Sequence, residues 1–143
     1  NVDTLRALNL ALFPVRYTDA FYSEILCSHQ DYAKLAYVDT NVVGAICCRL
    51  EAIKECPGIC RIYIMTLGVL ESYRRCQVGS MLLQSAIEHS RRDNADHIYL
   101  HVQTNNTVAL QFYRHFGFEV TETLRNYYKR IEPPDCYVLL KSL

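Results

Sequence analysis

The sequence predicts one α/β (α+β) domain over residues 1–143, on three observations. The chain has 143 residues, the size of one domain, and half are hydrophobic, enough to bury a core. The apolar residues change period along the chain, from helical spacing to strand-like runs and back. The early extended segments follow one another across a short polar turn, whereas helical stretches separate the later ones. The expected arrangement is a mostly antiparallel start followed by βα units.

Leu5, Leu8 and Leu12 predict a helix over 3–12, with Asp3 or Thr4 as its cap. Phe13-Pro14-Val15 ends it, because a proline pushes its predecessor out of helical torsions. A second short helix is expected from Thr18 or Asp19 through Phe21, Tyr22, Ile25 and Leu26. Strands follow over 34–38 and 42–50, joined by the polar turn Asp39-Thr40-Asn41. A loop is expected over 51–58 and a strand over 60–67. Val78, Leu82, Leu83, Ala86 and Ile87 then set a helix from 78 to about 92, ended by Asp93-Asn94. Ile98, Tyr99 and Val102 predict a strand over 97–103. Asn105 or Asn106 can cap a helix carrying Val108, Ala109, Phe112 and Tyr113, and Gly117 is placed to stop it. Strands over 118–123 and 136–140 close the domain.

Composition excludes several functions. Lys plus Arg equals Asp plus Glu at 15 each, so the basic excess of a nucleic-acid binder is missing. No apolar run approaches the roughly 20 residues that span a bilayer, so no membrane partner is expected. The chain opens on Asn1 rather than Met and shows no signal-peptide pattern. Its seven cysteines are odd in number and scattered, which fits reduced thiols in an intracellular protein. Of the adjacent Cys47 and Cys48, one is expected to face a core. Cys56 and Cys60 flank the turn Pro57-Gly58; no second ligand pair accompanies them, so no metal is expected.

Arg74-Arg75-Cys76-Gln77-Val78-Gly79-Ser80 lies between a strand and a helix. Such a turn gathers backbone N–H groups at the positive end of a helix, a pyrophosphate site to which arginines add charge-assisted contacts. By itself the pair of arginines reads at least as readily as a solvated face.

The surroundings carry a resemblance. The run Tyr63-Ile64-Met65-Thr66-Leu67-Gly68-Val69 leads into Tyr73-Arg74-Arg75 and the loop. A later strand is followed by Asn106 and by Phe112-Tyr113-Arg114-His115-Phe116-Gly117-Phe118. This pattern resembles the GNAT acetyltransferase superfamily, with its Arg/Gln-x-x-Gly-x-Gly/Ala phosphate loop. Phe13-Pro14-Val15-x-Tyr17, Tyr99-Leu100-His101-Val102-Gln103 and the run from Asn126 to Pro133 narrow it to the catalytic subunits of N-terminal acetyltransferase E. The resemblance covers nearly the whole chain. It implies a mixed, strongly twisted sheet flanked by about four helices, with the family's opening strand ahead of Asn1. Gln77 departs from the pattern, standing where the loop has its first glycine.

The activity implied is transfer of the acetyl group of acetyl-CoA to the α-amine of protein N-termini, with Met first and a hydrophobic residue second. The cofactor positions implied are Leu67, Gly68 and Val69, the loop residues Arg74, Arg75, Cys76, Gln77, Val78, Gly79 and Ser80, and then Asn106 and Tyr113. Tyr63 and His101 match the paired catalytic positions, Leu67 the backbone N–H that stabilises the thioester oxyanion, and Tyr113 the donor to the leaving thiolate. His101 is the better proton acceptor of the pair, since its ordinary pKa is near neutrality. On their own, Tyr63 and His101 read as a strand aromatic and a core histidine. Phe13, Pro14, Val15 and Tyr17 are expected to line one side of the peptide slot, with Met65 on its floor. Tyr127, Tyr128, Lys129, Arg130 and Ile131 would line the other. The partners implied are nascent polypeptides and the NatA complex at the ribosome, in the cytoplasm and also the nucleus. Two alternatives stand beside this reading: a catalytically weak docking subunit, suggested by Gln77, and a lysine acetyltransferase.

Overall fold

The computed structural model describes residues 2–12, 32–74, 77–128 and 130–143. The expected helix starting at Thr18 or Asp19 lies outside the described residues. The elements are helix α1 (Val2–Leu12), strands β1 (Ala33–Val38), β2 (Asn41–Ala52) and β3 (Cys60–Val69), a 3-10 turn (Glu71–Tyr73), helix α2 (Val78–Arg92), strand β4 (His97–Gln103), helix α3 (Thr107–His115), and strands β5 (Glu119–Leu124) and β6 (Cys136–Ser142). The strands form one mixed sheet in the order β1-β2-β3-β4-β6-β5. The β3–β4 pair is parallel, while β1–β2, β4–β6 and β5–β6 are antiparallel. By contacts the chain divides into two compact units, one holding 1–50 and 64–93, the other 51–63 and 94–143.

In the first unit α1 presents Leu5 and Leu8 to Ala45 and Cys47 of β2, and Val42, Leu35, Met65 and Leu70 pack around them. The helix begins at Val2, so Asp3 and Thr4 lie in its first turn rather than capping it. β2 is buried at every position from Val43 to Cys48, so both cysteines of the pair are buried, not one. Alternating side chains of this strand therefore meet cover on both faces. Gly44 is required here: a Cβ would lie 3.0 Å from the Gly68 carbonyl oxygen and 3.3 Å from a Leu82 methyl. On α2, Leu82, Leu83, Ala86 and Ile87 form the buried stripe. Lys34 of β1 donates to Ser85 Oγ at 2.7 Å and lies 2.6 Å from His89 Nε2, while the Tyr32 hydroxyl donates to Asp93 at 2.6 Å. These contacts tie the hairpin's first strand to α2.

In the second unit β4 alternates strictly, with Ile98, Leu100 and Val102 buried and His97, Tyr99, His101 and Gln103 on the other face. It pairs along its length with β6, from His97 opposite Ser142 to Gln103 opposite Cys136. β2 runs on through Glu51 and Ala52, residues expected in a loop, because the turn closes only at Ile53 and Ile59. Asn106 caps α3 by accepting from Ala109 N–H at 3.1 Å. The other end is a Schellman motif: Phe118 N–H reaches Tyr113 O at 3.1 Å and Gly117 N–H reaches Arg114 O at 3.0 Å, with Gly117 at φ +90°. The left-handed residue turns the chain so that Phe118 is buried, 2% exposed.

Gly117→Ala places a Cβ on that left-handed residue, 2.7 Å from Lys141 Nζ. The flexible lysine can withdraw; the torsion cannot. A loss of about 1–2 kcal/mol is expected, read as a lower denaturant midpoint at unchanged m-value.

Candidate functional site

The chemistry-bearing side chains of the second unit gather on one face of β3 and β4. Parallel register sets Tyr63 beside Tyr99, and alternation returns His101 to the same face one pleat on. Tyr63 Oη and His101 Nδ1 are joined by a 2.8 Å hydrogen bond. Tyr127 stacks on the imidazole at 4.6 Å between ring centroids and 20° between planes, and its hydroxyl hydrogen-bonds with Tyr63. Tyr127 is held there by its loop. Asn126 N–H donates to Asp135 Oδ1, Tyr128 N–H to Pro134 O and Gln103 Nε2 to Pro133 O, each at 2.8 Å.

Burial acts oppositely on the two polar rings. It pushes the Tyr63 phenol well above its ordinary range, helped by Tyr127 and Tyr99. It pulls His101 below the ordinary histidine value, and the carboxylates of Glu122 and Glu51 oppose that shift. At neutral pH the pair is a phenol and a neutral imidazole, so His101 is free to accept a proton and Tyr63 can only relay or orient one. Burial disfavours a phenolate at Tyr63. In the same way, burial pushes the Cys47 thiol up to about 11 and raises Cys48 and Cys136 as well, so none of the three is a ready nucleophile.

Three further residues face this cluster. The Arg61 Nε donates to Glu51 Oε1 at 2.9 Å, the Tyr99 hydroxyl donates to the same oxygen, and the Arg61 guanidinium lies 4.9 Å over the Tyr99 ring. The period-two spacing of Tyr99 and His101 was signal enough to place Tyr99 here. Glu51 offered none, because its strand was read as ending one residue earlier.

In the first unit Leu67, Gly68 and Val69 end β3, and Arg74 Nε donates to the Val69 carbonyl at 3.0 Å. Arg75 and Cys76 lie outside the described residues. Gln77 is the residue flanking α2, left-handed at φ 64° and ψ 16°, and its carbonyl accepts from Met81 N–H at 3.0 Å. Val78, Gly79 and Ser80 form the first turn, whose N–H groups have no carbonyl four residues back within the helix to serve. That donor set and the positive helix end fit an anionic diphosphate.

The remaining candidates fall as follows. Asn106 uses its side-chain oxygen as the α3 cap. Tyr113 is buried, 6% exposed, with its ring against Phe112 and Phe118. Met65 packs in the α1 cluster of the first unit. Tyr128, Arg130 and Ile131 belong to the loop between β5 and β6. Phe13, Pro14, Val15, Tyr17 and Lys129 lie outside the described residues.

The acetyltransferase (GNAT) family profile matches residues 2–118. N-alpha-acetyltransferase 50 of Danio rerio is 47% identical over 144 residues, covering 100% of this chain and 83% of the relative. The probable N-acetyltransferase san of Drosophila melanogaster is 46% identical, covering 100% of this chain and 76% of the relative. Among solved structures, Arabidopsis thaliana Naa50 in complex with the bisubstrate analogue CoA-Ac-MVNAL superposes with a TM-score of 0.92 at 50% identity, covering 100% of this chain and 93% of that one.

Gln77 carries the torsion cost of its left-handed backbone, about 1–2 kcal/mol for a residue with a Cβ. Gln77→Gly removes that cost and adds unfolded-state freedom in return. A net stabilisation of about 0.5–1 kcal/mol is expected from denaturant melts.

Proposed function

The chain belongs to the acetyltransferase (GNAT) family, and from that membership we propose how its residues carry out acetyl transfer. The protein is an acetyl-CoA-dependent N-terminal acetyltransferase acting on chains that begin with Met. The observation that carries this is its full-length likeness to an enzyme solved with coenzyme A joined through an acetyl group to the peptide MVNAL. Valine second in that peptide supports a preference for a hydrophobic residue after Met. The profile match over 2–118 supports treating residues 1–143 as one acetyltransferase domain.

The acceptor is an α-amine with a pKa of about 8, largely protonated at neutral pH. It must lose a proton before its lone pair attacks the thioester carbonyl. His101 takes that proton, and the Tyr63–His101 bond permits this in either tautomer. With Nδ1 unprotonated, a water on Tyr63 passes a proton in as Tyr63 hands its own to Nδ1. With Nδ1 protonated toward Tyr63, Nε2 accepts directly. The charge ends on the imidazole both times.

Attack forms the C–N bond and puts negative charge on the carbonyl oxygen. The Leu67 N–H on β3 stabilises it. Collapse breaks the C–S bond; Tyr113 gives its proton to the departing thiolate and regains one from the nitrogen, which releases a proton as the amide forms. The first turn of α2, with Arg74 and Arg75, holds the diphosphate; Asn106 serves the pantetheine arm. Tyr127, Tyr128, Arg130 and Ile131 receive the peptide's first residues, a task to which the family resemblance also assigns Met65, Phe13, Pro14, Val15 and Tyr17. Apolar and aromatic lining disfavours an acidic second residue, which would lose its hydration. The family resemblance further supports action on nascent polypeptides beside the NatA complex at the ribosome, in the cytoplasm and nucleus.

A Met-Leu peptide with a free α-amine is acetylated, and the same peptide blocked at that amine, with its lysine free, is not. Turnover of the blocked peptide would falsify N-terminal specificity. His101→Ala lowers kcat/KM about 100-fold, the usual scale of a lost general base, and Tyr63→Phe about tenfold or more. Because His101 is already neutral at pH 7, kcat/KM for the wild type rises through about pH 8 with the substrate amine. No separate inflection from His101 is expected between about 6.5 and 8 in a rate–pH profile.

A further inference from the structure

The Tyr63–His101 pair is braced from its flank by groups that do not reach it directly. Tyr63 lies against Tyr99 at 4.9 Å between ring centroids, and Tyr99 meets His101 edge-on at 6.2 Å. The Tyr99 phenol is a lever arm whose far end is fixed by the Glu51 carboxylate. Glu51 is fixed in turn by Arg61 Nε on the neighbouring strand, and the Arg61 guanidinium covers the Tyr99 ring at 4.9 Å. The ion pair is half-sheltered, with side-chain exposures of 41% for Arg61 and 18% for Glu51. A triangle of three residues on β2, β3 and β4 thus closes on itself. Nothing in the transfer chemistry calls for a carboxylate at this point, so its role lies in what it holds.

We propose that Glu51, locked by Arg61, is a positioning residue that fixes Tyr99 and through it sets Tyr63 against His101. This rests on the acetyltransferase reading for its kinetic consequences, although the geometry stands apart from it. The mechanism is packing: a phenol tethered at its hydroxyl cannot tilt, so the Tyr63 ring has one resting place. A proton relay through a 2.8 Å bond is sensitive to that, since small misplacements of reacting groups are costly in rate.

The carboxylate has a second effect through its charge. The groups facing His101 are the neutral phenols Tyr63, Tyr99 and Tyr127, the carboxylate of Glu122 on β5, and Glu51 with its Arg61 partner. Glu51 and Glu122 oppose the lowering by burial, so neutralising Glu51 lets the imidazole pKa fall further. Activity falls again as pH drops through that value, below the limb set by the substrate amine, and this lower acid limb moves to lower pH.

Two variants separate the effects. Tyr99→Phe keeps the ring and the charge but cuts the tether; Glu51→Gln keeps an acceptor and removes the charge. Thermal melts establish folding, and kcat and KM are measured for acetyl-CoA and a Met-Leu peptide across pH. For both variants kcat is expected to fall about tenfold, on the scale of a sub-ångström misplacement, with KM for acetyl-CoA within twofold of wild type. The lower acid limb is expected to shift down in Glu51→Gln and to stay put in Tyr99→Phe. Unchanged kcat in Tyr99→Phe, which loses one oxygen and leaves the Arg61–Glu51 pair intact, overturns the proposal even if Glu51→Gln fails to fold. If wild-type protein does not acetylate the Met peptide, the acetyltransferase reading fails separately. The brace is then decided by nuclear magnetic resonance of the Tyr63 ring in Tyr99→Phe: faster ring flipping upholds it, an unchanged flip rate sinks it.

Discussion

The parallel pairing of β3 with β4 is the constraint on which the site depends. Two parallel neighbours need a crossover between them, and here α2 supplies it. A crossover helix starts beyond the C-terminal end of the strand before it, and α2 begins four residues after Arg74, whose Nε donates to the Val69 carbonyl at the end of β3. The same pairing sets the register that brings Tyr63 alongside Tyr99, with His101 two residues on. Both the helix entry after Arg74 and the Tyr63–His101 pair follow from one choice of strand direction.

Burial then widens the difference in acidity that already makes His101 the better proton acceptor of the pair. A phenol and an imidazole in the same apolar setting move apart in acidity, because each loses hydration of its charged form and those forms have opposite sign. Tyr63 stays protonated and His101 stays neutral. Neither ring therefore carries a full charge at neutral pH, and the Glu122 and Glu51 carboxylates favour the imidazolium against the burial that disfavours it.

What could be read from the sequence was what local rules control. The bounds of α2 and β4 follow from a change of apolar period and from turn residues at each end. Asn106 and Gly117 mark the two ends of α3 because capping chemistry is local. The phosphate-loop candidates and the catalytic pair came from motif resemblance. What escaped was set by partners far along the chain. Glu51 joins the strand because of a hairpin closure across Ile53 and Ile59, and matters because of Tyr99, 48 positions away. Cys48 is buried because its face of the sheet is covered, which no pattern within β2 announces. The left-handed torsion of Gln77 runs against residue preference and is imposed by the helix entry that follows it.

The buried thiols have a practical side. Each acetyl transfer releases coenzyme A, a free sulfhydryl, and a dye that captures sulfhydryls is the natural continuous monitor. Cys47, Cys48 and Cys136 hold their protons and lie out of solvent, so the folded enzyme keeps these three silent toward the dye. Cys56, exposed on the β2–β3 turn, is open to the dye and contributes to an initial burst proportional to enzyme concentration. Colour that accrues linearly after that burst counts product, whereas a late acceleration as Cys47, Cys48 and Cys136 come into solvent signals unfolding rather than catalysis.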